Sequence, residues 1–137
     1  MKTSISFIPS LESAFTGNSE ISKFYFTSGN LKKGCQDFDG AIADYSKAIE
    51  TTSNNARIYY NRGVVKSQTK DYWGAITDFT HAIDGKHNNA KAYFRRGLVK
   101  VEVQNFKEAI LDFITVAEIE PDKSMAYFNR ISSKYTV

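Results

Sequence analysis

Lys91 and Arg95 stand four residues apart, and the residue types around them recur at an interval of 34. Lys23, Arg57 and Lys91 form one row at that interval. Phe26, Tyr60 and Phe94 form the next, followed by Thr27, Asn61 and Arg95, then Asn30, Val64 and Leu98, then Lys33, Ser67 and Val101. Carried on successive helices, these rows set cations, aromatic rings and amides side by side. Such a surface suits an extended acidic peptide: amides meet its backbone, Lys and Arg its carboxylates, and the rings its apolar side chains. The competing reading puts Phe26, Tyr60 and Phe94 partly in the core and makes the basic residues a solvated face.

Bond-making chemistry has little to work with. His81 and His87 are the only histidines, and neither has a metal-ligand neighbour at usable spacing, so no metal site is expected. Cys35 follows Lys32 and Lys33, and nearby cations lower a thiol pKa. A nucleophilic thiol also needs a histidine partner, and both histidines lie in the next repeat. No Gly-rich phosphate loop follows a strand. The expectation is no enzyme, with no catalytic residue and no cofactor.

Composition sets the wider bounds. At 137 residues with 42% hydrophobic and 24% charged residues, the chain has the size and make-up of one soluble domain. A net charge of +3 is too mild to imply nucleic acid. One cysteine cannot form an internal disulfide, so nothing argues for an oxidising compartment. The N-terminal stretch lacks the apolar centre of a signal peptide, and no run approaches the roughly 20 apolar residues of a membrane span. The expected location is cytoplasmic, with no membrane partner.

The elements that must position the rows follow from the repeat itself. Ala56 to Asn89 falls on Ser22 to Asn55 when shifted back by 34 residues, and on Ala90 to Lys123 when shifted forward. Tyr25, Tyr59, Tyr93 and Tyr127 keep phase, as do Gly29, Gly63 and Gly97. So do Phe38, Tyr72 and Phe106, then Ala41, Ala75 and Ala109, then Asp44, Asp78 and Asp112, then Tyr45, Phe79 and Phe113. A fixed period of this kind marks a repeat array. The pattern of Tyr59, Gly63, Ala75 and Phe79 resembles the tetratricopeptide-repeat (TPR) family, whose unit is a helix-turn-helix of 34 residues. The resemblance implies an all-α, right-handed helical solenoid of three units, about 22–55, 56–89 and 90–123, plus a C-terminal capping helix, 124–135. The expected TPR domain is 19–137. Residues 1–18 are expected as a tail, partly ordered at most, with Gly17 and Asn18 as a break. In a sharper reading, Ile5, Phe7, Ile8 and Leu11 cover an apolar end of the stack.

Within each unit the pattern gives two helices. The first run about Ile21 to Gly34, Ala56 to Thr69 and Ala90 to Val103; the second about Phe38 to Thr51, Tyr72 to Asp84 and Phe106 to Ile119. Asp37, Asp71 and Asn105 sit where N-caps belong, and Asn105 with Glu108 fits a capping box. Glycine costs about 1 kcal/mol inside a helix, so three in phase imply close approach of paired helices, with Ala41, Ala75 and Ala109 facing them. The last helix is expected to keep its outer face wet through Ser132, Ser133 and Lys134.

Charge divides by helix. The first helices carry Lys23, Lys32, Lys33, Arg57, Arg62, Lys66, Lys91, Arg95, Arg96 and Lys100 against Glu102 alone, while the second helices are mainly acidic. In the family the first helices line a concave groove, so the resemblance implies a basic groove and an acidic back. A narrower resemblance concerns TPR domains that hold the free C-terminus of heat-shock chaperones in a carboxylate clamp. Asn30, Asn61, Lys91 and Arg95 fall on four of its five places, and Phe26 stands where the clamp has lysine. The implied partner is a protein or peptide with an acidic segment or a free C-terminal carboxylate.

Two rival functions use other surfaces. Trp73, Leu111 and Ile114 lie at phases that face outward, where they would form an interface for self-assembly into a homo-oligomer. A side chain lying flat over its own turn is the plainer reading of Trp73. Nucleic-acid binding through the basic face with aromatic stacking is the third reading. The outer aspartates and the few aligned cations count against it.

Overall fold

A computed structural model describes residues 11–52 and 54–135, with side chains placed from residue 17 onward. Among the described residues there are seven α-helices and no strand. They are α1 (Leu11–Gly34), α2 (Phe38–Thr51), α3 (Ala56–Gln68), α4 (Tyr72–Gly85), α5 (Ala90–Glu102), α6 (Phe106–Ile119) and α7 (Ser124–Tyr135). A single 3-10 turn, Pro121–Lys123, leads into α7. The chain divides into two compact units between Asn54 and Asn55.

The first unit is the α1–α2 hairpin. Helix α1 starts at Leu11, ten residues before the expected start, and runs through Gly17 and Asn18 without a break. The glycine costs helix propensity there, but one glycine does not end a helix that is otherwise supported. The proposed cover by Ile5, Phe7, Ile8 and the side chain of Leu11 lies outside the described residues. Ala41, Tyr45 and Ala48 are buried at the centre of α2.

The second unit runs from α3 to α7, with three hydrophobic clusters in sequence. Val64, Ala75, Phe79 and Val99 make the first; Ala82, Ile83 and Ala92 the second; Ala90, Phe94 and Val116 the third. Each lies between helices that are consecutive in the chain, or one hairpin apart, as stacked helical pairs require.

The glycine rows have a different neighbour from the expected alanines. A Cβ on Gly29 would lie 2.7 Å from the Tyr45 ring, one on Gly63 2.9 Å from the Phe79 ring, and one on Gly97 2.6 Å from the Phe113 ring. The small residue admits a large ring from the opposite helix, so the glycine and aromatic rows are one device.

Each first helix ends the same way. Gln36, Lys70 and Gln104 have φ of 64°, 67° and 64°. Asp37 N–H donates to Lys32 C=O at 2.8 Å, Asp71 to Lys66 at 2.8 Å and Asn105 to Lys100 at 2.8 Å. Gln36, Lys70 and Gln104 donate to Lys33, Ser67 and Val101 at 3.0, 3.1 and 2.9 Å. These paired bonds are the Schellman arrangement, which satisfies the last carbonyls of a helix.

The following N-caps are not all alike. Gly40 N–H donates to the Asp37 carboxylate and Gly74 N–H to that of Asp71, both at 3.1 Å. The capping box expected at Asn105 and Glu108 does not form, since Asn105 makes no side-chain cap bond. Glu108 accepts instead from Lys100 at 3.2 Å. A Cβ at Gly40 or Gly74 would also run into the capping aspartate, and the third repeat has Glu108 at that position.

Candidate functional site

Charges on the first helices sort into two groups once the ion pairs are traced. Asp78 is 1% exposed and takes both arms of the Arg62 guanidinium at 2.8 Å, with Lys66 at 3.4 Å. Asp112 is 4% exposed and takes Arg96 at 2.8 and 2.9 Å, with Lys100 at 3.2 Å. In the first unit Asp44 accepts from Ser28 at 2.5 Å and pairs with Lys32 at 3.0 Å. Burial alone would raise the Asp44 carboxyl; Ser28 and Lys32 outweigh it, and its pKa lies below the ordinary value. The Asp78 carboxylate holds the Arg62 guanidinium pKa up, and Asp112 does the same for Arg96.

The basic-groove expectation therefore needs correction. Lys32, Arg62, Lys66, Arg96 and Lys100 turn to carboxylates of the second helices. A buried carboxylate must be paired or pay a large desolvation cost, and these five cations are its partners. They hold hairpins closed and are not a ligand surface.

What remains exposed in the second unit is more compact. One hollow of about 250 Å³ is lined by Arg57, Tyr60, Asn61, Lys86, Asn89 and Lys91. A second, of about 240 Å³, is lined by Tyr60, Lys91, Phe94, Arg95, Tyr127 and Arg130. The two share Tyr60 and Lys91. A third, of about 320 Å³, shares Arg95 and adds Leu98 and Lys134, with Glu102 in its wall. Among the described residues neither Lys91 nor Arg95 forms a salt bridge. Arg95 Nε donates to the Tyr60 hydroxyl at 3.2 Å, which fixes both over the hollow. Arg130 lies 4.5 Å over the Phe94 ring, and that ring meets Tyr127 at 4.9 Å.

A carboxylate lies close by. Tyr127 donates to Glu120 at 2.8 Å, and that bond, with Lys123, lowers the Glu120 pKa, so it stays ionised. Burial and Glu120 push the Tyr127 hydroxyl up to about 12, so it remains a neutral donor.

The expected residues thus separate. Arg57, Tyr60, Asn61, Lys91, Phe94 and Arg95 line the first two hollows, and Leu98 the third. Phe94 is 2% exposed, so it offers an edge and otherwise belongs to the core. Val64 is buried with Ala75 and Phe79 and takes no part in the surface. Lys23, Phe26, Asn30 and Lys33 lie on α1 in the first unit. There Lys23 pairs with Glu20 at 3.8 Å, Phe26 packs on the Tyr45 ring at 5.9 Å, and Asn30 Oδ1 accepts from Tyr45 at 2.6 Å. Lys86, Asn89, Tyr127 and Arg130 line the hollows without having been expected. Arg130 keeps phase with Arg62 and Arg96, which turn to buried carboxylates, so its row gave no sign of a place in the hollow. Lys86 follows the end of α4, where no row points to it.

On the outer side Trp73, Leu111 and Ile114 are 66%, 62% and 49% exposed. On helix α7 Ser133 and Lys134 are exposed, and so are Met125 and Phe128, at 66% and 60%. His81 stacks on Tyr59 with centroids 4.7 Å apart, and among the described residues no group of His, Cys, Asp and Glu could hold a metal ion.

Comparison with known proteins places this arrangement. A family model described as TPR repeat matches residues 29–70, and one described as Tetratricopeptide repeat matches 90–123. No curated protein matches the chain as a sequence. Among solved structures, the Arabidopsis OM64 TPR domain is similar at 28% identity and a TM-score of 0.77, covering 86% of this chain and 99% of that one. The second TPR of Spaghetti (RPAP3), bound to the HSP90 peptide SRMEEVD, is similar at 27% identity and a TM-score of 0.75, covering 79% and 99%. The yeast Sti1 TPR2B domain, in a pHsp70 complex, has a TM-score of 0.75 at 19% identity, covering 85% of this chain and 99% of that one, a likeness of fold alone.

Proposed function

The chain belongs to the tetratricopeptide-repeat family, and we propose that it is a non-catalytic interaction module that takes an acidic peptide, by preference one ending in a free carboxylate. The observation that carries this reading is the lining of the two hollows that share Tyr60 and Lys91. It includes Arg57, Lys86, Lys91, Arg95 and Arg130 and not one carboxylate. A cleft of one sign concentrates and steers ligand of the opposite sign. Lys91 and Arg95, one helical turn apart, meet the carboxylates; the Tyr60 ring and the Phe94 edge meet apolar side chains; Asn61 and Asn89 meet peptide backbone.

Two further points support it. Asn61, Lys91 and Arg95 fall on places of the carboxylate clamp, and a relative at 27% identity is bound to a peptide with two glutamates and a terminal aspartate. The partner is then a protein with an acidic tail. Phe26, where that clamp has lysine, weakens the match to a chaperone terminus, and Arg130 adds a cation on the other side of Arg95.

The test is fluorescence anisotropy with the labelled heptapeptide SRMEEVD. Lys91→Ala together with Arg95→Ala should weaken binding about 100-fold, as expected when two charge-assisted hydrogen-bonding groups are lost. Unchanged affinity would sink the assignment. A monomer at all concentrations in sedimentation would remove self-assembly, the alternative through Trp73, Leu111 and Ile114.

A further inference from the structure

Helix α6 carries an apolar stripe that the other second helices lack. Leu111 and Ile114 are 62% and 49% exposed. Their counterparts in phase are Ala43 and Thr77, and Ser46 and Thr80. The hydroxyls among these donate to carbonyls of their own helices, Ser46 to Ile42, Thr77 to Trp73 and Thr80 to Ile76. Of the three second helices, α6 alone has a long apolar side chain at both places.

Opposite charges bound the stripe. Lys107, Leu111, Ile114 and Glu118 follow one another at intervals of four, three and four, so they share one face of the helix. All four are exposed. Among the described residues neither Lys107 nor Glu118 forms a salt bridge.

These intervals read the same in both directions, while the charge reverses. About the point midway between Asp112 and Phe113, Leu111 exchanges places with Ile114, and Lys107 with Glu118. The face is therefore its own complement. A two-fold contact needs this property, since a residue that meets another across the axis is met by it in return. Set antiparallel, every charge on the face finds its opposite. A parallel pair would put lysine on lysine and glutamate on glutamate, and a slip of one turn would put Lys107 on Ile114, and both are disfavoured. We propose that the chain forms a dimer with a second copy through this face, antiparallel along α6, with Leu111 on Ile114 and Lys107 on Glu118 of the second copy.

Ile110 widens the face toward α7, where it shares an apolar groove with Met125 and Phe128. The face remains small, so the dimer is weak and reversible. One such face per chain closes the assembly at two. No residue of α6 lines the two hollows that share Tyr60 and Lys91, so pairing and peptide capture use different surfaces.

Sedimentation equilibrium of the full chain is the test. The chain should pass from monomer to dimer below about 1 mM and stop there. Lys107→Glu sets acid against acid at both ends of the pair and should weaken the dimer about tenfold. Glu118→Lys should do the same with two cations. Mixed in equal amounts, these two variants should pair with each other, and the double variant Lys107→Glu with Glu118→Lys should regain the dimer, which misfolded chains could not do. Leu111→Asp should leave a monomer of unchanged helical circular dichroism. A chain that is monomeric at 1 mM would overturn the proposal and leave the face to another protein. A dimer indifferent to the charge changes, or growth beyond the dimer, would overturn it as well.

Discussion

Gly63 shows how one residue ties sequence to packing. Its missing Cβ leaves room for Phe79, which is 0% exposed and has nowhere to retreat. Gly63→Ala gains about 1 kcal/mol of helix propensity but overpacks the core at a cost of about 1–3 kcal/mol. Net destabilisation of about 1 kcal/mol is expected in urea unfolding. Gly34→Ala, with nothing within 4 Å of the added Cβ, is the control and should stabilise. A stabilising Gly63→Ala would contradict the packing account. Asp44 gives a pH test. Its folded pKa lies below the ordinary 3.8, so its contribution is present above that value and lost as pH falls further. Asp44→Asn should therefore cost stability at neutral pH, and the gap to the parent should shrink on acidification below about pH 4. A gap constant with pH would mean that the charge does not matter. The aspartate row itself was plain in the sequence, but its role was not. A count of charges by helix suggests two faces of opposite sign. The constant spacing of 16 residues in Ser28–Asp44, Arg62–Asp78 and Arg96–Asp112 shows instead that they meet.

The helices were legible almost to the residue where a cap or a turn marks them. The ends of α2, α3, α5 and α6 fall within a residue of the reading, because Asp, Asn and the repeat phase fix them. The start of α1 was not legible, since Gly17 and Asn18 carry the same local signal as a true break. The left-handed residues were also missed. Gln36, Lys70 and Gln104 occupy a place that usually takes glycine, so composition gives no hint, although the 34-residue interval does. A non-glycine there pays about 1–2 kcal/mol, and glycine pays about 0.5–1 kcal/mol in unfolded-chain entropy. Each of Gln36→Gly, Lys70→Gly and Gln104→Gly should thus stabilise by about 0.5 kcal/mol, with an unchanged denaturant slope. Destabilisation in all three would show that the side chains hold the turns.

For the molecule as a whole, the repeat was readable because one small residue, one ring and one acid recur in register, and each has one job in the hairpin. The candidate site was readable only in part. Six of the twelve expected residues line the two basic hollows, while Val64 is buried as core and four lie on α1. Which cations are spent inside hairpins depends on contacts between helices, and a row of like residues does not reveal them. The central claim is that Lys91 and Arg95 read an acidic terminus. It is tested most directly by anisotropy with one acidic peptide carrying either a free or an amidated C-terminus, at low and physiological salt. The account predicts tighter binding of the free terminus by about tenfold, with both affinities falling as salt rises because exposed charges are screened over about 8 Å. Equal affinity for the two termini, or binding that ignores salt, would contradict it.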